Sequence, residues 1–387
     1  MNLPLADRMQ GISSFYVMEL LQRAKQLEAE GRDVVHMEIG EPDFPTPPAV
    51  LEAGCRMLAD GQVKYTPAAG LPALRAAIAE FYRSRYGVEL DPARVFVTPG
   101  ASGALLLALG ISLNPGQELI MADPCYPCNA NFLRLLGATA CHVPVDAASG
   151  YHLYEAAIRE HWRPQTLGVL VASPSNPTGT VMSGQALQSV LDTTLALGGA
   201  FYSDEIYHGL VYGENAVTAL QFSDEAFVIN SFSKYFGMTG WRVGWLVVPE
   251  RFIQAADRLA QNIFISAPSH SQYAALASFG PDNLAQLERR RSEFEARRDF
   301  LHAKLTQLGF GMAVKPQGAF YIYADCSRFT DDSFRFAREL LEQEGVAVTP
   351  GKDFGRYAAE RYIRFAYTAS IDRMSVAINR LERFLCR

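Results

Sequence analysis

Lysine is scarce in this sequence, and long apolar runs are absent. Only six lysines occur among 387 residues, at positions 25, 64, 234, 304, 315 and 352, so arginine supplies most of the positive charge. The formal net charge is −6 and no segment is rich in lysine or arginine, which gives no support for nucleic-acid binding. The longest apolar stretch, residues 104–113, is far shorter than the roughly 18 residues that span a membrane.

The cysteines have none of the spacings of a disulfide framework. They occupy positions 55, 125, 128, 141, 326 and 386. The pair in Cys125-Tyr-Pro-Cys128 lacks the second cysteine pair that a zinc site needs, so we expect free thiols and no metal site. The N-terminal segment M-N-L-P-L-A-D-R-M-Q lacks the basic and then apolar pattern of a secretory signal. We therefore expect a cytoplasmic protein.

The middle of the chain alternates between strand-like and helix-like patterns. Strands are predicted at 95–98, 118–122, 139–143, 167–172, 199–203, 226–230 and 243–248. Helices are predicted at 102–113, 129–136 and 184–197. Such alternation predicts an α/β fold in which helices sandwich a mostly parallel sheet of seven strands.

The pattern changes beyond residue 280. A long charged helix is predicted at 284–308, short strands at 319–323, 346–349 and 362–366, and an amphipathic helix at 372–384. This part of the chain predicts a smaller α+β domain. We expect residues 1–45 to form an N-terminal arm and part of that small domain, 46–280 the large domain, and 281–387 the small C-terminal domain.

Three polar motifs directly follow predicted strands. They are S-P-S-N-P-T-G at 173–179, D-E-I-Y at 204–207 and S-F-S-K at 231–234. Each has an ordinary explanation by itself, such as a turn, a helix cap or an exposed lysine. Ligands of open α/β sheets bind beyond the carboxyl ends of the strands, where one crevice collects all three motifs. Their order therefore favours a shared site.

These residue types suit a cofactor that carries an aldehyde, a pyridine nitrogen and a phosphate. Lys234 offers the amine, whose ordinary pKa of about 10.4 must fall through burial and nearby positive charge. Asp204 offers a carboxylate that keeps the ring nitrogen protonated. Residues 98–105 enter a helix directly after a strand, which presents free N–H groups to an anion. Further phosphate donors are present at Ser231, Ser233 and Arg242.

Together these motifs resemble those of the class I/II pyridoxal-phosphate aminotransferases of fold type I, the aspartate aminotransferase superfamily. The resemblance extends from I-G-E-P-D-F at 39–44 to R-F-A-Y at 364–367. It implies an enzyme of amino acid metabolism and biosynthesis that uses pyridoxal 5'-phosphate. Such an enzyme moves an amino group from an L-amino acid to a 2-oxo acid by a ping-pong mechanism. The resemblance also implies a homodimer with shared active sites.

The resemblance assigns roles to individual residues around the cofactor ring. Lys234 is similar to the lysine that binds the cofactor covalently and moves the substrate proton. Asp204 resembles the partner of the pyridinium nitrogen. Tyr207 and Asn176 match the residues that hydrogen-bond the ring oxygen, and Tyr126 matches the aromatic residue on the ring face. Lys234, Asp204 and Tyr207 are therefore the expected catalytic residues.

The resemblance also places the phosphate and substrate contacts. The phosphate-binding positions correspond to Ala101, Ser102, Ser231, Ser233 and Arg242. Tyr65 resembles a tyrosine that reaches the phosphate of the neighbouring subunit. Arg364 matches the arginine that clamps the substrate α-carboxylate, with Gly40 and Asn176 beside it. The Asn176–Pro177 bond is a candidate cis peptide.

The sequence also departs from the family pattern and leaves alternatives open. Ser102-Gly103 stands where many relatives carry a longer polar pair, and the helix that follows is apolar, so it offers no cation for a second carboxylate. Neutral or aromatic amino acids are therefore favoured over dicarboxylic ones. A carbon–sulfur β-lyase of the same fold would use the same lysine and arginine but need no amino acceptor. A ligand-sensing domain of a transcription regulator is a third, non-catalytic alternative.

Overall fold

The computed structural model describes residues 4–12, 15–61, 63–213 and 216–386. The α-helices are α1 (Tyr16–Ala29), α2 (Pro48–Ala59), α3 (Pro72–Tyr86), α4 (Gly100–Ser112), α5 (Cys128–Leu135), α6 (Glu155–His161), α7 (Gly184–Ala196), α8 (Ile253–Ile263), α9 (Ser269–Leu276), α10 (Pro281–Leu308), α11 (Ser333–Glu344) and α12 (Ile371–Leu385). The strands are β1 (Val35–His36), β2 (Val95–Thr98), β3 (Glu118–Asp123), β4 (Thr139–Pro144), β5 (Thr166–Ala172), β6 (Ala200–Asp204), β7 (Ala226–Ser231), β8 (Gly244–Val247), β9 (Tyr321–Asp325), β10 (Val346–Ala347), β11 (Thr349–Pro350) and β12 (Tyr362–Ala366).

The central sheet has seven strands in the order β2-β8-β7-β6-β5-β3-β4. Strand β8 runs antiparallel to its neighbours β2 and β7, and the strands from β7 to β4 are parallel. The prediction of a mostly parallel seven-stranded α/β sheet is therefore confirmed. Six of the predicted strands differ from the observed ones by one or two residues, and β2 has the bounds expected for it.

Both faces of this sheet are buried, which explains its continuous apolar strands. Along β7, Val228 packs into the hydrophobic cluster on one face, whereas Phe227 and Ile229 pack into the cluster on the other. Neighbouring β6 alternates in the same way, with Phe201 on one face and Tyr202 on the other. Successive side chains of a strand point to opposite faces, so two covered faces require apolar residues at every position.

A second layer joins the N-terminal and C-terminal parts of the chain. Strands β11, β12 and β9 form an antiparallel sheet, and β1 pairs in parallel with β10. The N–H of Met37 donates to Ala347, and the N–H of Ala366 donates to Met37. These bonds bring Glu38 beside Arg364 of β12, the middle strand of the three-stranded sheet.

Two local features of the fold concern the site. The strand predicted at 346–349 is divided into β10 and β11, because β10 pairs with β1 whereas β11 pairs with β12. The Asn176–Pro177 bond after β5 is cis, as expected. Within the described residues, no helix combines the length and the apolar character needed to cross a membrane.

The close pairing of β5 with β6 gives a stability prediction. Gly168 of β5 lies opposite Ala200 of β6, and a Cβ on Gly168 would overlap the Ala200 carbonyl oxygen. We expect Gly168→Ala to lower the free energy of unfolding by roughly 1–3 kcal/mol, because the two backbones must separate. Urea unfolding measures this change. The control is Gly184→Ala at the start of α7, where the nearest atoms to an added Cβ are side-chain atoms at 3.5 Å or more. An equal loss in both variants would contradict the explanation.

Candidate active site

The motifs at the carboxyl ends of β5, β6 and β7 surround one cavity of about 310 Å³. Most of the predicted site residues line it: Gly40, Ala101, Ser102, Tyr126, Asn176, Asp204, Tyr207, Ser233, Lys234, Arg242 and Arg364. Ser231 is buried beside the cavity, and its hydroxyl lies 2.8 Å from that of Ser233. Tyr65 is not among the lining residues, and 82% of its surface is exposed. The structure therefore gathers every predicted site residue except Tyr65 into this chain's cavity or directly behind it.

Lys234 lies where the loop after β7 meets the loop after β1. Its Nζ donates a hydrogen bond of 2.7 Å to the carbonyl oxygen of Gly40. Burial lowers the pKa of Lys234 to about 8, and the positive charges of Arg364 and Arg242 act in the same direction, although Glu41 opposes them. The amine is consequently much easier to deprotonate than an exposed lysine.

Asp204 ends β6 and points its carboxylate into the same buried region. Its Oδ1 accepts a hydrogen bond of 3.2 Å from the N–H of Ile206. Burial raises the pKa of Asp204 to about 6, and this hydrogen bond and the charge of Lys234 oppose the rise. A carboxylate in this setting is stabilised by a cationic partner, such as a protonated ring nitrogen.

Glycines allow the start of α4 to approach Arg242 closely. Gly100 has a φ of +69°, and a Cβ there would lie 2.7 Å from Nη2 of Arg242. A Cβ on Gly244 of β8 would lie 2.9 Å from the backbone nitrogen of Ala101. Larger residues at either glycine would separate the helix N-terminus from the guanidinium.

The groups beside this helix end make up a donor set for an anion. Arg242 adopts a φ of +53°, and its Nη1 donates to the carbonyl of Thr239 at 3.0 Å. The N–H of Ser233 donates to Oγ of Ser231 at 3.0 Å. A guanidinium, two hydroxyls and the free N–H groups of a helix N-terminus together suit a phosphate. The residues present therefore fit the phosphate of the expected cofactor.

Arg364 of β12 is buried and fixed by hydrogen bonds. Its Nη1 donates to Oδ1 of Asn176 at 2.9 Å, and its Nη2 donates to the carbonyl of Glu38 and, at 3.3 Å, to Oγ1 of Thr349. Within the described part of the chain, its buried Nε has no hydrogen-bond partner. An unpaired buried donor costs about 1–3 kcal/mol, so this nitrogen stands ready for a ligand oxygen.

Two aromatic rings lie close to the Arg364 guanidinium. The central carbon Cζ lies 4.3 Å from the ring centroid of Tyr321 and 4.7 Å from that of Phe354. Cation–π contacts of this kind leave the N–H groups of the guanidinium available for hydrogen bonds. Such an arrangement suits the forked recognition of a carboxylate.

Tyr321 is a site residue that the sequence analysis missed. Its hydroxyl lies 2.8 Å from that of Tyr207, and a Cβ on Gly40 would overlap it. Tyr321 of β9 pairs with Ala366 of β12, which places it diagonal to Arg364. The signal that identifies Tyr321 is the register between β9 and β12. That register depends on pairing between segments that are distant in the sequence.

The comparisons with known proteins agree with this geometry. The family described as aminotransferase class I and II matches residues 32–381. A valine–pyruvate aminotransferase of Mycobacterium tuberculosis is 37% identical, over 97% of this chain and 97% of that protein. An aspartate aminotransferase of Geobacillus stearothermophilus is 34% identical, over 98% of each chain. The crystal structure of an aminotransferase from Mycobacterium tuberculosis superposes with a TM-score of 0.96 at 36% identity, over the whole of both chains.

The resemblance inferred from the motifs is thereby confirmed over nearly the whole sequence. The superposition also explains why the strand-end motifs converge, because the relatives share the complete fold and not only short segments. The chain belongs to the class I and II aminotransferases of fold type I and depends on pyridoxal 5'-phosphate.

Proposed function

We propose that this aminotransferase takes as donor an L-amino acid with an uncharged, mainly apolar side chain. The observation that carries the proposal is the composition of the cavity wall. Its large apolar side chains include those of Phe15, Val17, Met18, Ile39, Leu105, Phe132, Ile206 and Phe354. Among the described residues that line the cavity, the cations are Lys234, Arg242 and Arg364. Each of these has a role toward the cofactor or the α-carboxylate, so none remains for a second carboxylate.

The family alone does not select this substrate class. The relative from Mycobacterium tuberculosis is named for valine, whereas the relative from Geobacillus stearothermophilus is named for aspartate. The apolar helix α4, which contributes Leu105 to the wall, favours the first kind of donor. The choice therefore depends on this chain's own cavity.

The hydrogen-bonding groups around the cavity indicate which residues would hold the cofactor. Asp204 would face the ring nitrogen, Tyr126 the ring face, and Tyr207 and Asn176 the ring oxygen. The phosphate would be held by Ala101, Ser102, Ser231, Ser233 and Arg242. When bound, the cofactor supplies an aldehyde for attachment to an amine and a protonated ring that withdraws electrons. The chain itself supplies orientation, charge and a base.

Lys234 acts as the base in this proposal. A lysine with the ordinary pKa is neutral in about 0.03% of molecules at pH 7, whereas a pKa of about 8 makes about 10% neutral. The neutral Nζ accepts the α-proton of the substrate and later releases it. Glu41 and Asp204 limit the fall of this pKa, so the amine can still take up a proton.

Arg364 binds the α-carboxylate of the donor and later that of the 2-oxo acid. One fixed guanidinium serves both, because the two compounds carry the same carboxylate beside the reacting carbon. Donor and acceptor therefore occupy the cavity in turn, which is the structural basis of a ping-pong mechanism. The buried position of Arg364 excludes water from these hydrogen bonds and strengthens them.

A panel of amino acids, each offered as the amino donor, tests the proposed substrate class. We expect leucine, valine and phenylalanine to convert the bound cofactor with kcat/KM at least about tenfold above aspartate and glutamate, because a second carboxylate would enter the cavity without a cation. Single-turnover absorbance measurements follow each conversion. A preference for aspartate would refute the proposed substrate class. Release of pyruvate and ammonia from a cysteine conjugate without an amino acceptor would instead indicate β-lyase activity.

The burial of Lys234 gives a pH-dependent stability prediction. The folded pKa of about 8 lies below the ordinary lysine value of 10.5, so the folded state holds fewer protons than the unfolded state between these values. Stability of the wild-type protein therefore rises through this range. We expect cofactor-free Lys234→Met to be more stable than cofactor-free wild type by about 1–3 kcal/mol at pH 7. Urea unfolding at several pH values should show this difference shrinking above pH 8, and a constant difference would contradict the assignment.

We also propose that the enzyme is a homodimer in which Tyr65 serves the partner's site. Exposed apolar side chains occur on α2, on the loop after it and on α9, at Leu51, Leu58, Val63, Tyr65 and Tyr273. Helices α2 and α9 pack on each other, and Gln272 of α9 donates to Oγ1 of Thr66 at 2.8 Å. The exposed tyrosine therefore precedes an anchored threonine and lies beside a surface that suits a second copy of the chain.

Subunit complementation tests the proposed sharing of sites. Lys234→Ala and Tyr65→Ala should each be poorly active alone. When the two variants are mixed and allowed to exchange subunits, we expect activity to reappear, because one mixed site combines an intact lysine with an intact tyrosine. Turnover before and after mixing is the measurement, and a mixture of Lys234→Ala with Lys234→Met is the control. Absence of recovery in a proven mixed dimer would show that Tyr65 does not act across subunits.

A further inference from the structure

The first turn of α1 receives its cap from a residue far away in the sequence. Phe15, at the N-cap position, makes no side-chain hydrogen bond to the helix. Instead, Oδ1 of Asp353 accepts from the N–H of Tyr16 at 2.8 Å, and Oδ2 accepts from the N–H of Val17 at 3.2 Å. One carboxylate thus satisfies two N–H groups that a helix leaves unpaired, and its charge also suits the positive helix end.

This turn forms part of the cavity wall. Phe15, Val17 and Met18 line the cavity, and so does Asp353 itself. The later turns of α1 are anchored differently, since Leu20 and other apolar side chains are buried in the core. The first turn therefore faces the substrate space, whereas the rest of the helix packs against the protein.

The residue that caps this turn is itself held firmly. Phe354, which follows Asp353, accepts a hydrogen bond of 2.8 Å from the N–H of Cys125 through its carbonyl. The carboxylate of Asp123, at the end of β3, accepts from the N–H groups of Arg356 and Tyr357 at 3.1 and 3.3 Å. A continuous series of bonds therefore connects the central sheet to the first turn of α1.

Burial of the Asp353 carboxylate costs free energy unless hydrogen bonds satisfy its oxygens. Only 7% of its surface is exposed, and burial raises the pKa of its carboxyl group although the N–H groups of Tyr16 and Val17 act against the rise. A buried carboxylate is tolerated where hydrogen bonds satisfy its oxygens.

We propose that Asp353 is a positioning residue that fixes Phe15, Val17 and Met18 as a wall for the side chain of the amino donor. The inference rests on the proposed function, because a defined apolar wall has value only for a donor whose side chain reaches it. Without the carboxylate, the first turn opens more often and the wall loses its fixed shape. Binding of a large apolar donor weakens as a result, whereas the chemistry at Lys234 does not change.

Hydrogen exchange of the holoenzyme tests the anchoring step. We expect amides in the first turn of α1 to exchange roughly tenfold faster in Asp353→Ala, and to a smaller extent in Asp353→Asn, which keeps one acceptor oxygen. The control is Ser370→Ala, which removes the cap of α12, a bond of 3.3 Å from the N–H of Arg373. That variant should leave exchange in α1 unchanged. Unchanged exchange in both Asp353 variants would overturn the proposal.

Steady-state kinetics test the effect on specificity. We expect Asp353→Ala to raise KM for leucine roughly tenfold, and Asp353→Asn to raise it less, while KM for alanine and kcat for both donors change less than about twofold. Ser370→Ala should change neither KM. An equal rise of KM for alanine and leucine would show a general structural effect and refute the role in specificity. Failure of the proposed function looks different, because wild-type enzyme would then react with aspartate but not leucine. In that case the exchange measurements still decide whether Asp353 holds the turn.

Discussion

The site depends on one constraint, which is that a chargeable amine must be buried among other charges without becoming fixed in one protonation state. Lys234 meets it through opposing influences, since burial and two arginines lower its pKa while Glu41 and Asp204 oppose the fall. Its single described hydrogen bond goes to a backbone carbonyl, which accepts from both the charged and the neutral amine. A carboxylate at this distance would have favoured the charged form strongly. The Gly40 carbonyl as partner therefore keeps the amine available for the proton transfer that we propose for it.

Close backbone approach is what allows this balance to exist. The loop after β1 comes so near the cavity that Gly40 has no room for a side chain beside Tyr321. The same is true where Gly100 and Gly244 bring the start of α4 against Arg242. The contacts at Gly100 and Gly244 place backbone directly against Arg242, one of the cations that lower the pKa of Lys234. Electrostatic tuning in this enzyme is thus a result of packing.

Much of this architecture could be predicted from the sequence, and the parts that could not share a physical reason. Strand β2 and the strand-end motifs depend on local apolar runs, so their positions could be predicted from the sequence. The division between β10 and β11 could not be predicted, because it results from pairing with two different strands, β1 and β12. Tyr321 was missed for a related reason, since its neighbour Arg364 belongs to a segment that pairs with it only after folding.

The residues that could be predicted from the sequence and those that could not have different proposed roles in the site. The groups proposed to act on the cofactor follow strands of the central sheet, where local sequence fixes both the strand and the residue after it. The proposed wall for the substrate side chain is assembled from the start of α1 and the loop at Asp353, two segments far apart in the sequence that hydrogen bonds join. Changes in these distant segments can alter the shape of the wall without disturbing Lys234, Asp204 or Arg242. In the proposed function, reaction type and substrate choice therefore depend on different parts of the fold, which is why the motifs identify the chemistry while the donor has to be inferred from the cavity.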